Sequence, residues 1–470
     1  MLRLINYKII LLLSVLFNTF LHAQDTLWTR RFDQFRSEEA YDMAEDTSDN
    51  IIIVGTSQDT GIISDVLLLK YNQTGNLIWH RLFDTGQIDW GWSLTVVPNG
   101  NIIVASYHSD MITEKPGLVK FSSNGETLWS RMYLYPSLEN VVLWGVALDS
   151  LNNIFACGFS LYSPQTVIIK SDTSGNLLWT RCYNWADEPG FKDIALDEDG
   201  NLIITGWSGS SVLLVAKFNN NGDSIWTRRY SGIYPATDGT RIVMDNANNI
   251  VVCGYGTDWS NYDALIIKYS PSGSMLWDKC LNFRPFDTPW GLAVDLNNNI
   301  FVSGFCGVLD TFDYFLSKFS PAGETLWTRF YNGPYNDVAS GVVVDDLNNP
   351  IISGRSYNGA DYDVLTIKYH GSSGIEEWAN RENVRNNNDY LFRYNSIKSG
   401  QGIINLEVLK PSKYKITVYN TLGAVVKSIY SGYLQQGKHN FNLAVNQNGI
   451  YFLRIENEWG ENSHKIIFLK

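Results

Sequence analysis

Aromatic and acidic side chains recur at matched positions along this chain, and they are the residues best suited to recognition chemistry. Tyr41, Trp92, Trp144 and Trp290 occupy one repeated position, at which Lys192, Thr240 and Ser340 stand in the remaining copies. A few residues upstream stands an acid each time: Glu39, Asp89, Glu139, Asp187, Asp238, Asp287 and Asp337. Indole and phenol faces stack on the C–H face of a sugar or on a cation, and carboxylates accept hydrogen bonds from hydroxyls or pair with an ammonium. The pattern therefore suits a glycan or a cationic peptide. A plainer role competes with it, in which the acids bond to loop N–H groups and the aromatics pack between neighbouring elements.

Motifs for covalent, hydrolytic or metal chemistry are not found in the sequence: there is no HExxH, no GxSxG and no P-loop. His80, His108, His370, His439 and His464 lack metal-ligand spacing, and Asp197-Glu-Asp-Gly-Asn201 lacks the closing Glu of a calcium loop. Cys157, Cys182, Cys253, Cys280 and Cys306 show neither zinc-like nor redox CxxC spacing, so small buried hydrophobes are expected. No catalytic residue, metal site or cofactor is expected from these residues.

The elements that must position the aromatics follow from a repeat. Trp28, Trp79, Trp129, Trp179, Trp226, Trp277 and Trp327 recur at steps of 47 to 51 residues. Lys70, Lys120, Lys170, Lys217, Lys268 and Lys318 each precede a Trp by nine positions, and Arg81, Arg131, Arg181, Arg228, Lys279 and Arg329 follow two positions after it. Each unit reads as four short strands; in the sixth these are 291–295, 299–304, 314–319 and 325–331, joined by Asx- and Gly-rich turns. Four strands in a period of roughly 40 to 50 residues predict a β-propeller. Pairing across the hairpin sets each Lys opposite its Trp, with the lysine stem on the indole and the ammonium over or beside the ring. The pattern decays at Trp378, whereas Leu27-Trp28-Thr29-Arg30 has the continuation without three strands before it. The expected fold is all-β: a seven-bladed β-propeller of four-stranded blades over 24–373, its N-terminal strand closing the last blade. A linker over 374–390 and a small antiparallel β-sandwich over 391–470 follow. First strands line a propeller axis, so the recurrent aromatics and acids are expected near the channel mouth.

The ends and the charge place the chain in the cell. Arg3 and Lys8 flank the apolar run from Ile9 to Phe20, and Leu21-His22-Ala23 ends on a small residue, which reads as a signal peptide over 1–23. No later run is long enough to span a membrane. The formal charge of −12 is uneven: from Ala379 onward twelve Lys or Arg face six Asp or Glu, which leaves a net charge of about −20 on residues 24–378. Such an acidic body repels nucleic acid.

The repeated Trp-Thr-Arg-x-Tyr and Val-Asp-x-Asn-Asn-Asn-Ile-x-Val-x-Gly segments resemble the SBBP family of bacterial β-propeller repeats over about residues 26 to 370. Segments such as Ser171-Asp-Thr-Ser-Gly-Asn-Leu-Leu-Trp179 are partly similar to quinoprotein repeats. Tyr414-Lys-Ile-Thr-Val-Tyr-Asn-Thr-Leu-Gly423, Asn448-Gly-Ile-Tyr-Phe-Leu-Arg454 and Lys465-Ile-Ile-Phe-Leu-Lys470 resemble the C-terminal sorting domain of the type IX (Por) secretion pathway. Tyr394-Asn395-Ser396 stands where such domains often open with Pro-Asn-Pro. The resemblance implies export through the periplasm to the cell surface or medium, with the type IX machinery as partner. The leading functional expectation is a binding or scaffold module for glycan or protein. The alternative, by analogy of fold, is an extracellular polysaccharide lyase or hydrolase or a quinone-dependent dehydrogenase.

Overall fold

The computed structural model describes residues 26–371 and 390–468 apart from a few loop positions (35, 60–62, 134–137, 139, 161, 163–164, 184–188, 210, 309–310, 395–400, 409, 421–423, 445–448 and 459). The expected signal peptide, all of the expected 374–390 linker except residue 390, which opens a strand, and Glu139 and Asp187 lie outside the described residues. No helix among the described residues is long and apolar enough to cross a membrane. The chain divides into two compact units, Met1–Gly374 and Ile375–Lys470.

Among the described residues of the first unit the strands pair antiparallel apart from a single parallel bridge. Six sheets of four consecutive strands cover 37–83, 88–132, 141–183, 190–229, 236–281 and 286–331. The fifth and sixth touch through that bridge, Tyr262 to Phe286. The seventh sheet takes three strands from 337–369 and its fourth from the far end of the chain, Thr26–Phe32, which pairs with Tyr362–Tyr369. The innermost strand of each sheet packs on that of the next, and Asp337–Val344 of the seventh returns to Ser37–Glu45 of the first. This is a multi-blade β-propeller-like fold, and the sheets are called blades below. Second and third strands are apolar on both faces, as in Ile51–Gln58 and Ser64–Tyr71, because a neighbouring blade covers each face.

One contact set repeats at every seam. The register places Lys70 opposite Trp79, Lys120 opposite Trp129, Lys170 opposite Trp179, Lys217 opposite Trp226, Lys268 opposite Trp277 and Lys318 opposite Trp327. The closing strand reproduces it, with Trp28 opposite Lys368. The ammonium is bound to an acid in six of the blades, and Lys70 also lies over its indole, 6.0 Å from the Trp79 centroid. Lys70, Lys170, Lys217, Lys268, Lys318 and Lys368 lie 2.6 to 3.7 Å from Asp46, Asp149, Asp197, Asp245, Asp295 and Asp345, on the turn after the first strand of the same blade. In the second blade Val97 replaces the acid; there Lys120 donates to Thr173 O at 3.0 Å, and burial pushes its pKa down. The cation over the indole is mostly the arginine two positions on, at 4.0 to 5.6 Å from the ring centroid in six blades. A short guanidinium reach along the same strand face and a carboxylate close to the lysine explain the exchange: an ion pair with hydrogen bonds outweighs a cation–π contact.

The same residues bind the next blade. Gly75 lies in the left-handed region (φ 77°), and a Cβ there would come within 2.7 Å of the Trp28 indole; Gly125 and Gly323 stand likewise against Trp79 and Trp277. The turn needs glycine for its dihedral, and the seam needs it for room. Trp28 Nε1 also donates to Gln73 O (3.0 Å), and Arg31 pairs with Asp363 at 2.5 Å. The Thr26–Phe32 strand thus joins the last blade by its ladder and the first by its indole.

The second unit has two antiparallel sheets, one of three strands (Tyr390–Tyr394, Gln401–Val408, Gly437–Ala444) and one of four (Ser412–Asn420, Val425–Leu434, Gly449–Asn457, Gly460–Phe468). Leu406, Val408 and Leu443 of one share a core with Tyr414, Ile416, Val418, Leu453 and Ile455 of the other.

Deleting residues 24–33 should cost the first unit several kcal/mol, since it removes a buried Trp, Phe32 and a ladder at once (about 3–5 kcal/mol for the aromatic alone). Denaturant unfolding of the truncated and full chains checks this, and an unchanged midpoint would sink it.

Candidate functional site at the mouth of the ring

Each first strand carries a β-bulge, and the bulged residues are Tyr41, Trp92, Trp144, Lys192, Thr240, Trp290 and Ser340. These are the seven positions that the sequence repeat aligns. A glycine opposite six of the bulges lets the strand bend, and in the second blade Ser106 takes that place. A Cβ on Gly55, Gly158, Gly206, Gly254, Gly304 or Gly354 would lie 1.8 to 2.1 Å from a first-strand carbonyl oxygen. An extra residue thus turns its side chain out of the sheet and toward the axis.

Tyr41, Trp92 and Trp144 come together. Tyr41 stacks on Trp92 with centroids 4.6 Å apart, and Trp92 on Trp144 at 4.2 Å. Trp144 continues to Phe159 (5.6 Å) and Phe159 to Trp207 (4.5 Å, edge-on). The arc runs through four blades, and all five rings remain partly exposed. Trp290 is not in this arc; it faces Lys192, whose Nζ lies 6.0 Å from its ring. Phe159 and Trp207 were missed by sequence reasoning. With Tyr107, Tyr255, Phe305 and Arg355 they follow directly after the strand-two glycine or Ser106, opposite the residue two before the bulge. That Gly-aromatic step was the available signal.

The acids divide into two sets. Asp89, Asp287 and Asp337, each fully buried, stand three residues before the bulge and hold the entering loop. Asp89 accepts from Thr85 N (2.7 Å), Asp287 from Phe283 N (2.5 Å) and Arg284 N (3.0 Å), and Asp337 from Gly333 N (2.8 Å). Burial pushes Asp287 up to about 7, against the loop N–H groups of Arg284 and Phe283 that pull it down. In the first blade this place belongs to Glu38, which burial also raises to about 7. Glu39 and Asp238 stand two residues before the bulge and reach the mouth. Glu39 pairs with Arg355 (2.5 Å) and accepts from Tyr41 OH (3.1 Å); Asp238 pairs with Lys192 (2.6 Å) and accepts from Tyr255 OH (3.1 Å).

Below the bulges the axis narrows to a polar cavity of about 130 Å³ lined by Asp42, Ser93, Asp193, Arg241 and the glycines Gly291 and Gly341. Arg241 crosses it, donating to Trp290 O (3.0 Å) and Tyr41 O (2.9 Å), and so ties three blades. Asp193 accepts from Ile194 N and from Ile242 N of the next blade, both at 2.9 Å. Burial raises its pKa to about 6, with Arg241 pulling the other way.

One constellation has the form of a catalytic triad. Ser106 Oγ lies 2.9 Å from His108 Nε2, and His108 Nδ1 lies 2.5 Å from Asp89 Oδ1. All three residues have no exposed surface, and a Cβ on Gly117 would meet His108 at 2.5 Å. A nucleophile must reach a carbonyl, but these buried groups bond one another and, through Asp89, the entering loop at Thr85. His108 stands where four other sheets carry Ser57, Ser160, Ser208 and Ser356 and the fifth and sixth carry Gly256 and Cys306.

Residues 400–469 match the Por_Secre_tail family, the secretion system C-terminal sorting domain. The tail is such a domain, which indicates export to the cell surface or secretion. The chain is 22% identical over 342 residues to an uncharacterized WD repeat-containing protein of Acanthamoeba polyphaga mimivirus; the match covers 57% of this chain, which spans only 24% of that relative. Among solved structures it is similar to a gluconolactonase of Xanthomonas campestris (12% identity, 72% of this chain and 97% of that one, TM-score 0.39). It is also similar to puromycin hydrolase (12%, 79% and 58%, 0.47) and to a protein of unknown function from Dyadobacter fermentans (9%, 73% and 98%, 0.45). At these scores the likenesses transfer no activity.

The sealed Ser106 should resist a fluorophosphonate probe in the folded protein. Intact-mass measurement checks this, and stoichiometric labelling of Ser106 would show that the cluster opens to substrates.

Proposed function

We propose that this protein is an exported binding module. Its first unit is a seven-bladed β-propeller of SBBP type closed by its N-terminal strand, and its tail is a sorting β-sandwich read by the type IX machinery after passage through the periplasm. The propeller mouth captures an extracellular glycan or protein. The observation that carries this reading is the stacked arc Tyr41–Trp92–Trp144, continued by Phe159 and Trp207. Five partly exposed rings on bulges and rigid strands form a wall whose side chains are already ordered, so little conformational entropy is lost on binding. Aromatic anchors of this kind dominate recognition surfaces. Glu39, Arg355, Asp238 and Lys192 supply polar groups beside the wall. Asp89, Asp287 and Asp337 support it from behind by fixing the loops.

Glycan and peptide arrays probed with the exported chain should yield a ligand whose affinity falls at least about fivefold in Trp92→Ala or Trp290→Ala. Asp89→Asn should instead lower the melting temperature and leave the affinity of the folded fraction unchanged. Affinity unmoved by either Trp change, with melting alone lowered, would assign the aromatics to packing.

Removing residues 380–470 should leave the first unit folded and trap it in the periplasm of a host with the type IX machinery. Fractionation and blotting test this; normal export of the shortened chain would remove the sorting role.

A further inference from the structure

At the end of the arc, beside Trp207, one bulge departs from the aromatic pattern. Lys192 extends its ammonium into a cage built by three blades: the ring centroids of Trp207, Tyr255 and Trp290 lie at 5.1, 6.0 and 6.0 Å, and Asp238 Oδ2 at 2.6 Å. The lysine side chain is 12% exposed and the aspartate's 11%. Aromatic faces and a carboxylate around a nearly dehydrated ammonium are the arrangement by which proteins bind alkylammonium ligands. The cage also has acceptor capacity that its guest leaves unused. Asp238 is 8% exposed, both of its bonds fall on Oδ2, and Oδ1 has no partner in the structure.

We propose that this cage is a receptor for the side-chain ammonium of a lysine in an extracellular peptide, with Lys192 as its resident guest. The inference rests on the mouth being a binding site and names the chemical class it reads. Exchange of one ammonium for another keeps the charge of Asp238 compensated, while the released Lys192, a flexible and strongly hydrated side chain, moves out to water at the mouth. The net charge of about −20 on residues 24–378 draws cationic peptides toward the site at long range, and the cage selects among them. The occupant already present is a lysine, which favours a lysyl peptide over an amino sugar.

Lys192→Ala in the full chain empties the cage, so its melting temperature should fall and recover in n-butylammonium but not in n-butanol. By calorimetry, trilysine should bind Lys192→Ala about tenfold more tightly than the native chain, which must first displace its own guest. The Lys192→Ala, Asp238→Asn double variant should lose that gain. Equal rescue by n-butanol, no rescue, or tighter binding of a glucosamine trimer than of trilysine would overturn the proposal. Should Lys192→Ala fail to fold, Asp238→Asn alone serves: trilysine affinity must drop about tenfold, and an unchanged value overturns the inference. The two readings fail separately, because Trp92 and Trp144 do not touch Lys192: an array ligand that depends on Trp92 with no ammonium rescue sinks only the lysine assignment, whereas array affinity unmoved by Trp92→Ala with ammonium rescue intact sinks only the aromatic wall.

Discussion

The seam between successive blades is the constraint on which the rest of this structure depends. A four-stranded sheet whose second and third strands are apolar on both faces cannot stand alone in water, and its edges would pair with other chains. Here six of the outer strands lay a Trp on the glycine turn of the next blade, and in every blade but the second the lysine opposite the Trp joins an aspartate of its own blade. Leaving one member of such a buried pair alone costs about 3–5 kcal/mol, so the pairs specify register more than they add stability. Stability passes from neighbour to neighbour, as in other repeat proteins, but a closed ring has no terminal repeat to cap. The Trp28 strand replaces that cap.

Closure turns a repeated local defect into a site. One bulge in one strand merely bends it. Bulges at the matched position of all the inner strands bring their residues to one end of the sheets, where the rings of neighbouring blades stack, and in six of them a glycine opposite makes the bend possible. The aromatic arc is thus held by backbone geometry rather than by long flexible loops. Arg241, anchored on carbonyls of two other blades, braces the ring just below it.

Two kinds of acid, one residue apart in register, divide support from recognition. Three positions before the bulge, a carboxylate points back into the blade and gathers the N–H groups of the entering loop; burial then raises the pKa of Glu38 and Asp287. Two positions before it, alternation of the strand turns Glu39 and Asp238 to the other face, where they meet arginine, lysine and tyrosine at the mouth. A one-residue change in offset therefore separates a structural aspartate from one that can meet a ligand.

The sequence by itself determined the period, the four strands per unit, the pairing of each lysine with its tryptophan, and the equivalence of Tyr41, Trp92, Trp144 and Trp290. These are local consequences of turn chemistry and of alternation within a hairpin, and they are legible because the repeat states them many times. It also marked the tail as a sorting domain through its own motifs. Only the tertiary structure decided which acid a lysine meets, since Asp245 and Lys268 are joined across a sheet, and that the arginine covers the indole in six blades, with a lysine also over it at Trp79. It alone decided that Ser106, His108 and Asp89 align with no surface to act on, and that Trp290 joins Trp207, Tyr255 and Asp238 around Lys192 instead of the arc. The first of these meetings depend on how the strands of one blade pair and bend, and the last on which blades become neighbours, which ring closure sets.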